Sequence, residues 1–547
     1  LIEGVENQQS SSQADFLILD GQQRLTSLFQ ALKLNKPVLT KDGQKKLIRC
    51  YYYFDINKIL SEPILWEEAL INVDENKQQK ENFGRDIVLD LSSDNDEYEK
   101  MYFPCNQILN SDKWEEGLMA YDQDKFPIYM KFRTKVLKAF REYEIPIIEL
   151  LKETTKEAVC LVFEKVNTGG VPLSVFELMT ASYAAENFNL REDWFVDKIS
   201  SNIKCRKSRF KEKPLLRDIE PNEFLQAISI LHTYSNRLKD IEAGKKGKEI
   251  SIVSAKREHV LALPLSAYNE WADKLTKGFF EADRFLRMEG FHDPKFLPYR
   301  TQLIPLGTLM VHIGERWLEP VIYSKISRWF WCGVFGELYG SASETRIALD
   351  HIDLLAWINL SSTHEPTTVV ASGFQKSRLD TLRTRTSAAY RGMYVLLQRN
   401  DVKDFFWKAK ITELDRDECK IDIHHIFPQD WCKKNSIEER VYNSIVNKTP
   451  ISYKANRMIG GKAPSEYLDK LQKHQNVQLS EQGMNDILTT HLIAPNLLRK
   501  NNFNDFYEIR KNELCKMVEN VMGKSLIDSP INIEEYEIED ETEDNNS

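Results

Sequence analysis

Asp422-Ile423-His424-His425-Ile426-Phe427-Pro428 is the stretch on which the architecture of the C-terminal part of the chain turns. Adjacent residues on a strand point to opposite faces, so two neighbouring imidazoles can serve one centre only where a strand ends or where they converge across an edge. Pro428 fits such an ending. A neutral imidazole, with an ordinary pKa of about 6.5, takes a proton from water near pH 7 when it is not bound to metal. That role suits His425 and leaves His424 as first ligand of a divalent cation. Asn447 lies in the polar-to-apolar step Asn447-Lys448-Thr449-Pro450-Ile451-Ser452, where its amide could orient the His425 ring. Asn456, nine residues on and at the start of an expected helix, offers an amide oxygen as second ligand. Two protein ligands leave the other positions to water and substrate oxygens, as a Lewis acid at a phosphate requires. Lys462 follows in a Gly460-Gly461-Lys462 turn able to meet a phosphate. A His-His pair before Ile-Phe-Pro, taken alone, reads as a strand end with satisfied imidazoles. The two asparagines and Lys462 move the reading to metal-assisted phosphodiester cleavage.

At these residues the chain resembles the His-Me finger (HNH) nucleases, whose pattern is an acid or His, then His, then Asn, then Asn or His one short strand and turn later. The resemblance implies a ββα-metal domain with His425 as general base, Asn447 as its orienting partner, and His424 and Asn456 as metal ligands. Many such fingers carry Asp where His424 stands. An imidazole nitrogen there raises affinity for manganese, cobalt, nickel or zinc without excluding magnesium, so Mg2+ or Mn2+ is expected and Ni2+, Co2+ or Zn2+ stays open. No Cys-x-x-Cys lies beside the finger, so no structural zinc is expected.

A second constellation spans residues 15–32. Phe16 to Leu19 is an apolar run suited to a buried strand, and Leu25, Leu28, Phe29 and Leu32 then recur at helical spacing. Asp20-Gly21 is the turn between them. A helix opening on a glycine turn aims free N–H groups at whatever sits in front of it, which favours phosphate, and Arg24 adds a charged fork. Asp20 could hold a metal or orient water, and Gln22 and Gln23 could satisfy polar edges of a nucleotide. The run Asp20-Gly21-Gln22-Gln23-Arg24-Leu25-Thr26 resembles the signature of the ParB- and sulfiredoxin-like N-terminal domain of GmrSD-type restriction endonucleases. Residues 163–177 are similar to that domain's second characteristic run, with Asn167 to Gly170 ending one helix and a capping box of Ser174 and Glu177 opening the next. Residues 380–390 and 456–468 also look like that family. The resemblance implies an NTP-binding and NTP-hydrolysing module, with Asn167 and Thr168 beside the first motif, coupled to a nuclease that attacks modified foreign DNA in bacterial defence. The family's segment ahead of the first motif is not seen before Asp20, so an N-terminally truncated domain is expected.

Composition sets outer bounds. With 547 residues and 42% hydrophobic content the chain can form about three to four units of ~150 residues. The eight cysteines are dispersed and unpaired in spacing, which fits a reducing cytoplasm, and no apolar stretch approaches the ~18 residues of a membrane span. Net charge is −9, but nine carboxylates lie between Asp528 and Ser547, and the rest of the chain balances at 74 acidic and 74 basic residues. That tail is expected to be disordered. Basic clusters occur at 204–217 and at 376–391. Arg383 and Arg385 are the preferred phosphate contacts, with Phe210, Phe374 and Tyr390 interleaved as candidates to stack on an inspected base.

These features predict an α+β protein: a mixed α/β ParB-like domain over 1–200, a helical middle region over 201–400, a ββα-metal nuclease domain over 401–525 and an acidic tail over 526–547. Residues 75–130 read as a polar insertion, and Ile145 to Ile148 as a strand. The function expected is an NTP- and metal-dependent endonuclease acting on modified phage DNA, with DNA and NTP as partners, homo-oligomerisation left open and no membrane. The alternative is a nucleotide-sensing defence toxin that nicks DNA without modification selectivity.

Overall fold

The computed structural model describes residue 18 and residues 21–41, 47–61, 66–81, 86–149, 174–198, 203–340, 343–360 and 363–528. The fold is α+β, and the chain divides into two compact units, Leu1–Thr154 and Thr155–Ser547.

In the N-terminal unit, α1 (Gln22–Lys33) starts at Gly21, whose φ of 83° is the left-handed conformation a glycine adopts without strain. Strands β1 (Val38–Lys41), β2 (Leu47–Asp55) and β3 (Leu70–Asp74) form an antiparallel sheet. β4 (Gln78–Glu81) and β5 (Asp86–Asp90) form a separate antiparallel pair, and β6 (Tyr102–Pro104) joins the end of β2 through Tyr53 and Pro104. The region expected to be a polar insertion instead supplies most of this unit's core. Tyr98, Phe103, Ile108, Trp114, Leu118 and Tyr129 are all buried, packed with Phe54, Phe132 and Val136. The apolar residues there are few but large and spaced by helical turns, so a low average hydropathy hid a packed face. Ile145, Ile147 and Ile148 are not laddered; they are 53%, 86% and 60% exposed in a segment without regular secondary structure.

In the second unit one continuous core runs from Phe176 to Leu526. Helix α2 (Val175–Ala184) opens with the expected capping box: the Ser174 side chain accepts from the Glu177 amide, and the Glu177 carboxylate accepts from the Ser174 amide at 2.7 Å. α2 and α3 (Leu190–Phe195) belong to this core through Phe176 and Trp194, which meets Phe210 and Phe224. They pack with the helical body, although the sequence groups them with the N-terminal domain. The body is built from α4 (Pro221–Glu242), α5 (Leu265–Met288), α6 (Leu303–Ile313), α7 (Pro320–Phe335), α8 (Ser343–Ile358) and α9 (Ala388–Arg399). Trp271, Trp317, Trp329 and Trp331 are core residues, as their spacing predicts. The chain then forms β7 (Asp422–His425), β8 (Lys448–Ile451), α10 (Tyr453–Ile459), α11 (Pro464–Lys473) and α12 (Phe503–Met522).

Phe210, Phe374 and Tyr390 are at most 2% exposed. This corrects the expectation that they stack on a base. Phe210 and Tyr390 sit where helical periodicity turns them inward, Phe374 is buried in the connection between two short helices, and the neighbouring basic residues are anchors rather than free cations: Arg206 pairs with Asp193 and Arg378 with Glu337.

Helices α5 and α6 cross at two glycines. A Cβ on Gly278 would lie 2.5 Å from the Gly307 carbonyl oxygen, and one on Gly307 would lie 2.9 Å from the Phe279 ring. Gly278→Ala, which stabilises an unpacked helix by about 0.5–1 kcal/mol, is expected to destabilise this unit by about 1–3 kcal/mol through the forced separation. A lowered thermal midpoint checks this.

Candidate active site

The finger is a strand, a long connection, a second strand and a helix. β7 and β8 pair antiparallel with His424 opposite Thr449 and His425 opposite Lys448. Ile426 and Phe427, which follow the histidines, are fully buried, and the Phe427 ring lies 4.9 Å from Phe506 and 5.2 Å from Phe503 of α12. Burial of this pair pins the strand end, and Pro428 caps the helix Gln429–Lys434. The histidines are therefore held at a terminus fixed from the core side.

Asn447 is fully buried and uses its whole amide on backbone. Its Oδ1 accepts from the Phe427 amide, and its Nδ2 donates to the carbonyls of Phe427 and Tyr442, all at 2.9 Å. The sequence expectation that Asn447 hydrogen-bonds the His425 ring is thus corrected. Asn447 sets the path of the loop that carries His425, and the ring partner is Asn443, whose Oδ1 lies 3.1 Å from His425 Nε2. An amide oxygen at that nitrogen takes the Nε2–H, which leaves the lone pair on Nδ1. Gln429 Nε2 is 3.5 Å from the same nitrogen.

Both imidazoles are neutral at physiological pH. Burial, reinforced by the Arg385 charge, lowers His424 to about 4, and burial with Lys448 lowers His425 to about 4. Lys448, itself lowered to about 8 by burial and by Arg383 and Arg385, donates to the Arg383 carbonyl at 2.7 Å. Ile445 donates to the Leu382 carbonyl at 2.8 Å, and Arg385 pairs with Asp422. The segment 382–385 therefore lies along the finger and brings Arg383 and Arg385 beside the two histidines.

His424 Nε2 is buried without a hydrogen-bond partner among the described residues. A buried imidazole nitrogen in this state has the chemistry to take a cation, and Asn456 stands on α10. Among the described residues no group of three His, Cys, Asp or Glu is placed to hold a metal. Lys462 is exposed in the turn after α10.

Three supports carried no motif. Asp404, fully buried, accepts from the Ser452 amide at 2.6 Å and the Ser452 hydroxyl at 3.0 Å at the start of α10. His491 takes a hydrogen bond with Thr449 of β8 at 2.7 Å and another with the Lys403 carbonyl at 2.7 Å. Arg510 of α12 is 1% exposed and donates to the carbonyls of Val446, Lys448 and His491. They lie up to 88 residues from their partners in sequence, so only the fold shows them.

At the N-terminal motif, Gly21, Gln23 and Arg24 stand at the start of α1, Gln23 and Arg24 exposed. Asp20, the Gln22 side chain, Asn167 and Thr168 lie outside the described residues. A cavity of about 150 Å³ behind α1 is lined by Gln30, Asn35, Lys77, Glu97 and Asn106. It is smaller than the ~300 Å³ or more of ordinary ligand pockets and does not include the motif. No helix among the described residues is long and apolar enough to cross a membrane.

Removing the Asn447 amide leaves two carbonyls and one amide unpaired in the core. Asn447→Ala is expected to destabilise the C-terminal unit by about 3 kcal/mol or more, whereas Asn443→Ala leaves the urea midpoint nearly unchanged. A second expectation concerns acid. His424 and His425 sit near 4 and His491 near 3, and burial lowers His312 and His351 as well. An unfolded histidine titrates near about 6.5, so as pH falls the unfolded chain takes up protons first. Stability is full above about pH 6.5 and is lost toward about pH 4. Urea midpoints of metal-free protein should be flat from about pH 8 to 7 and fall between about pH 6.5 and 5, where ordinary carboxylates barely titrate.

Residues 2–184 match the family described as GmrSD restriction endonuclease, N-terminal domain. An uncharacterized protein of Methanocaldococcus jannaschii is 25% identical over 536 residues, covering 92% of this chain and 84% of that protein. The family match is to this N-terminal region alone.

Proposed function

We propose that the chain is a divalent-metal-dependent DNA endonuclease of bacterial defence, directed at modified foreign DNA and coupled to an NTP-binding N-terminal module. The observation that carries the nuclease reading is the β7–β8–α10 finger. It places a neutral, amide-anchored His425 beside His424, whose buried nitrogen has no partner among the described residues, with Asn456 one strand and one turn further on. The coupling to nucleotide rests on the family match of the N-terminal region and on the motif at Gly21 to Arg24.

The residues divide the work by their chemistry. His425 receives a proton from the attacking water at Nδ1 while Asn443 holds Nε2–H, so the water oxygen bonds phosphorus as the bond to the leaving sugar oxygen breaks. The leaving sugar oxygen takes a proton from solvent, and His425 returns its own to solvent. A divalent cation held by His424 and Asn456 would supply Lewis acidity at the scissile phosphate. Arg383, Arg385 and Lys462 neutralise flanking phosphates, and Arg385 exchanges its Asp422 partner for a phosphate when DNA arrives.

The test incubates the full chain with unmodified DNA and with glucosylated hydroxymethylcytosine DNA, with and without Mg2+ or Mn2+ and NTP. Cutting that needs metal, prefers modified DNA and falls by about a hundredfold or more in His425→Ala is the expected result. Cutting without modification preference supports the toxin alternative. Absence of cleavage under every condition, or full activity in His425→Ala, overturns the nuclease reading.

A further inference from the structure

The finger carries two exposed aromatic rings that no motif announces. Tyr453, the first residue of α10, is 49% exposed, and Trp407 is 43% exposed. Both are fixed by one carboxylate. Asp404 accepts from the amides of Phe406 and Trp407 at 2.9 Å and, through its other contacts, from the amide and hydroxyl of Ser452, the N-cap of α10. The loop bearing Trp407 and the helix end bearing Tyr453 are thus tied to the same buried group.

Cations surround both rings. Lys454 Nζ lies 4.5 Å from the Phe406 ring centre and 5.0 Å from that of Trp407. Lys420 Nζ and the Arg457 guanidinium each lie 5.8 Å from the Tyr453 ring centre. None of the three has a carboxylate partner among the described residues, in contrast to Arg206 and Arg378. Tyr453, Asn456 and Arg457 stand at i, i+3 and i+4, so they share one face of α10, with the candidate metal ligand between ring and cation.

Two rigid aromatic faces in a field of unpaired positive charge match a strand of nucleic acid whose bases are free to stack. In an intact duplex those base faces are already covered by their neighbours. We infer that Tyr453 and Trp407, with Lys420, Lys454 and Arg457, form a stacking platform for unpaired or extruded DNA bases beside the cleavage centre. The rings take the bases and the cations take the backbone. The inference rests on the finger being a DNA-cutting site, and it makes the preferred substrate locally single-stranded DNA.

The experiment separates the two readings by measuring binding in EDTA, where no cleavage is needed. Full-length protein is titrated into an oligodeoxynucleotide carrying 2-aminopurine, with quenching as the report of stacking and anisotropy as the report of affinity. Tyr453→Leu and Trp407→Leu should each weaken single-strand binding by about tenfold and abolish part of the quenching. Tyr453→Phe and Trp407→Phe should restore both. Lys454→Gln should lower the slope of log affinity against log salt by about 0.7. Unchanged single-strand affinity and quenching in folded Leu variants, equal losses on duplex DNA, or tighter binding of the matching RNA overturns the platform. His425→Ala, which should bind and quench like the parent while losing cleavage, shows that a failure of the platform is not a failure of the nuclease reading.

Discussion

The finger depends on three hydrogen bonds made by one buried amide. Asn447 accepts from one backbone amide and donates to two backbone carbonyls, and so joins the end of β7 to the connection that leaves it and returns as β8. A connection of some twenty residues pays an entropic penalty that grows slowly with length, and this clamp offsets it at the point where geometry matters. Phe427, whose backbone is held on both sides, drives its ring into the α12 core. Packing and hydrogen bonding therefore fix the same residue, and His425, two positions earlier, inherits that precision. A side chain that oriented the imidazole directly would do less, since it would leave the backbone under the ring free to move.

Around this clamp the protein stores positive charge. Arg510 is buried against carbonyls alone, Lys448 faces His425 across the ladder and donates to the Arg383 carbonyl, and Arg385 pairs with Asp422 at the other end of β7. Burial is the larger cause of the lowered imidazole pKa values, and the cations act in the same direction. A base near 4 is a weaker proton acceptor than one near 7, but it is deprotonated throughout the physiological range. In the proposed reaction the same charges would draw phosphates toward the imidazoles. The negative charge of a phosphodiester there would move the imidazole pKa upward, so basicity would rise with substrate bound.

The strand, strand, helix order at residues 422–459 was legible because its signals are local. The spacing from His424 and His425 to Asn447 and Asn456 lies within 33 residues, and the strand, strand, helix order follows from it. The capping box at Ser174 and Glu177 and the core tryptophans were legible for the same reason: cap chemistry and helical period act over a few residues. What Asn447 does was not legible, because an amide that holds backbone and one that holds a ring look alike in sequence. Asp404, His491 and Arg510 act across tertiary distance, and nothing at those positions marks them. The N-terminal core escaped notice since Trp114, Tyr129 and Phe132 are diluted by charged residues on the outer faces of their helices. Phe210, Phe374 and Tyr390 misled in the opposite direction: proximity to arginines suggested recognition, yet a basic cluster and an aromatic residue share a stretch of sequence without sharing a face.

The overall charge of −9 does not oppose a DNA partner, because charge acts by distance rather than by sum. At physiological ionic strength the screening length is about 8 Å. A phosphate at α10 would therefore respond to Lys420, Lys454 and Arg457, while acidic residues act on it only where they approach within that length. Salt weakens the surface cations far more than the buried Lys448 and Arg510. Under the proposed function the exposed group would govern capture and its salt dependence, and the buried group the state of the imidazoles with a strand in place. Recognition and chemistry would then draw on two separate sets of cations, so substitutions in the first set should alter affinity while the second set controls the proton.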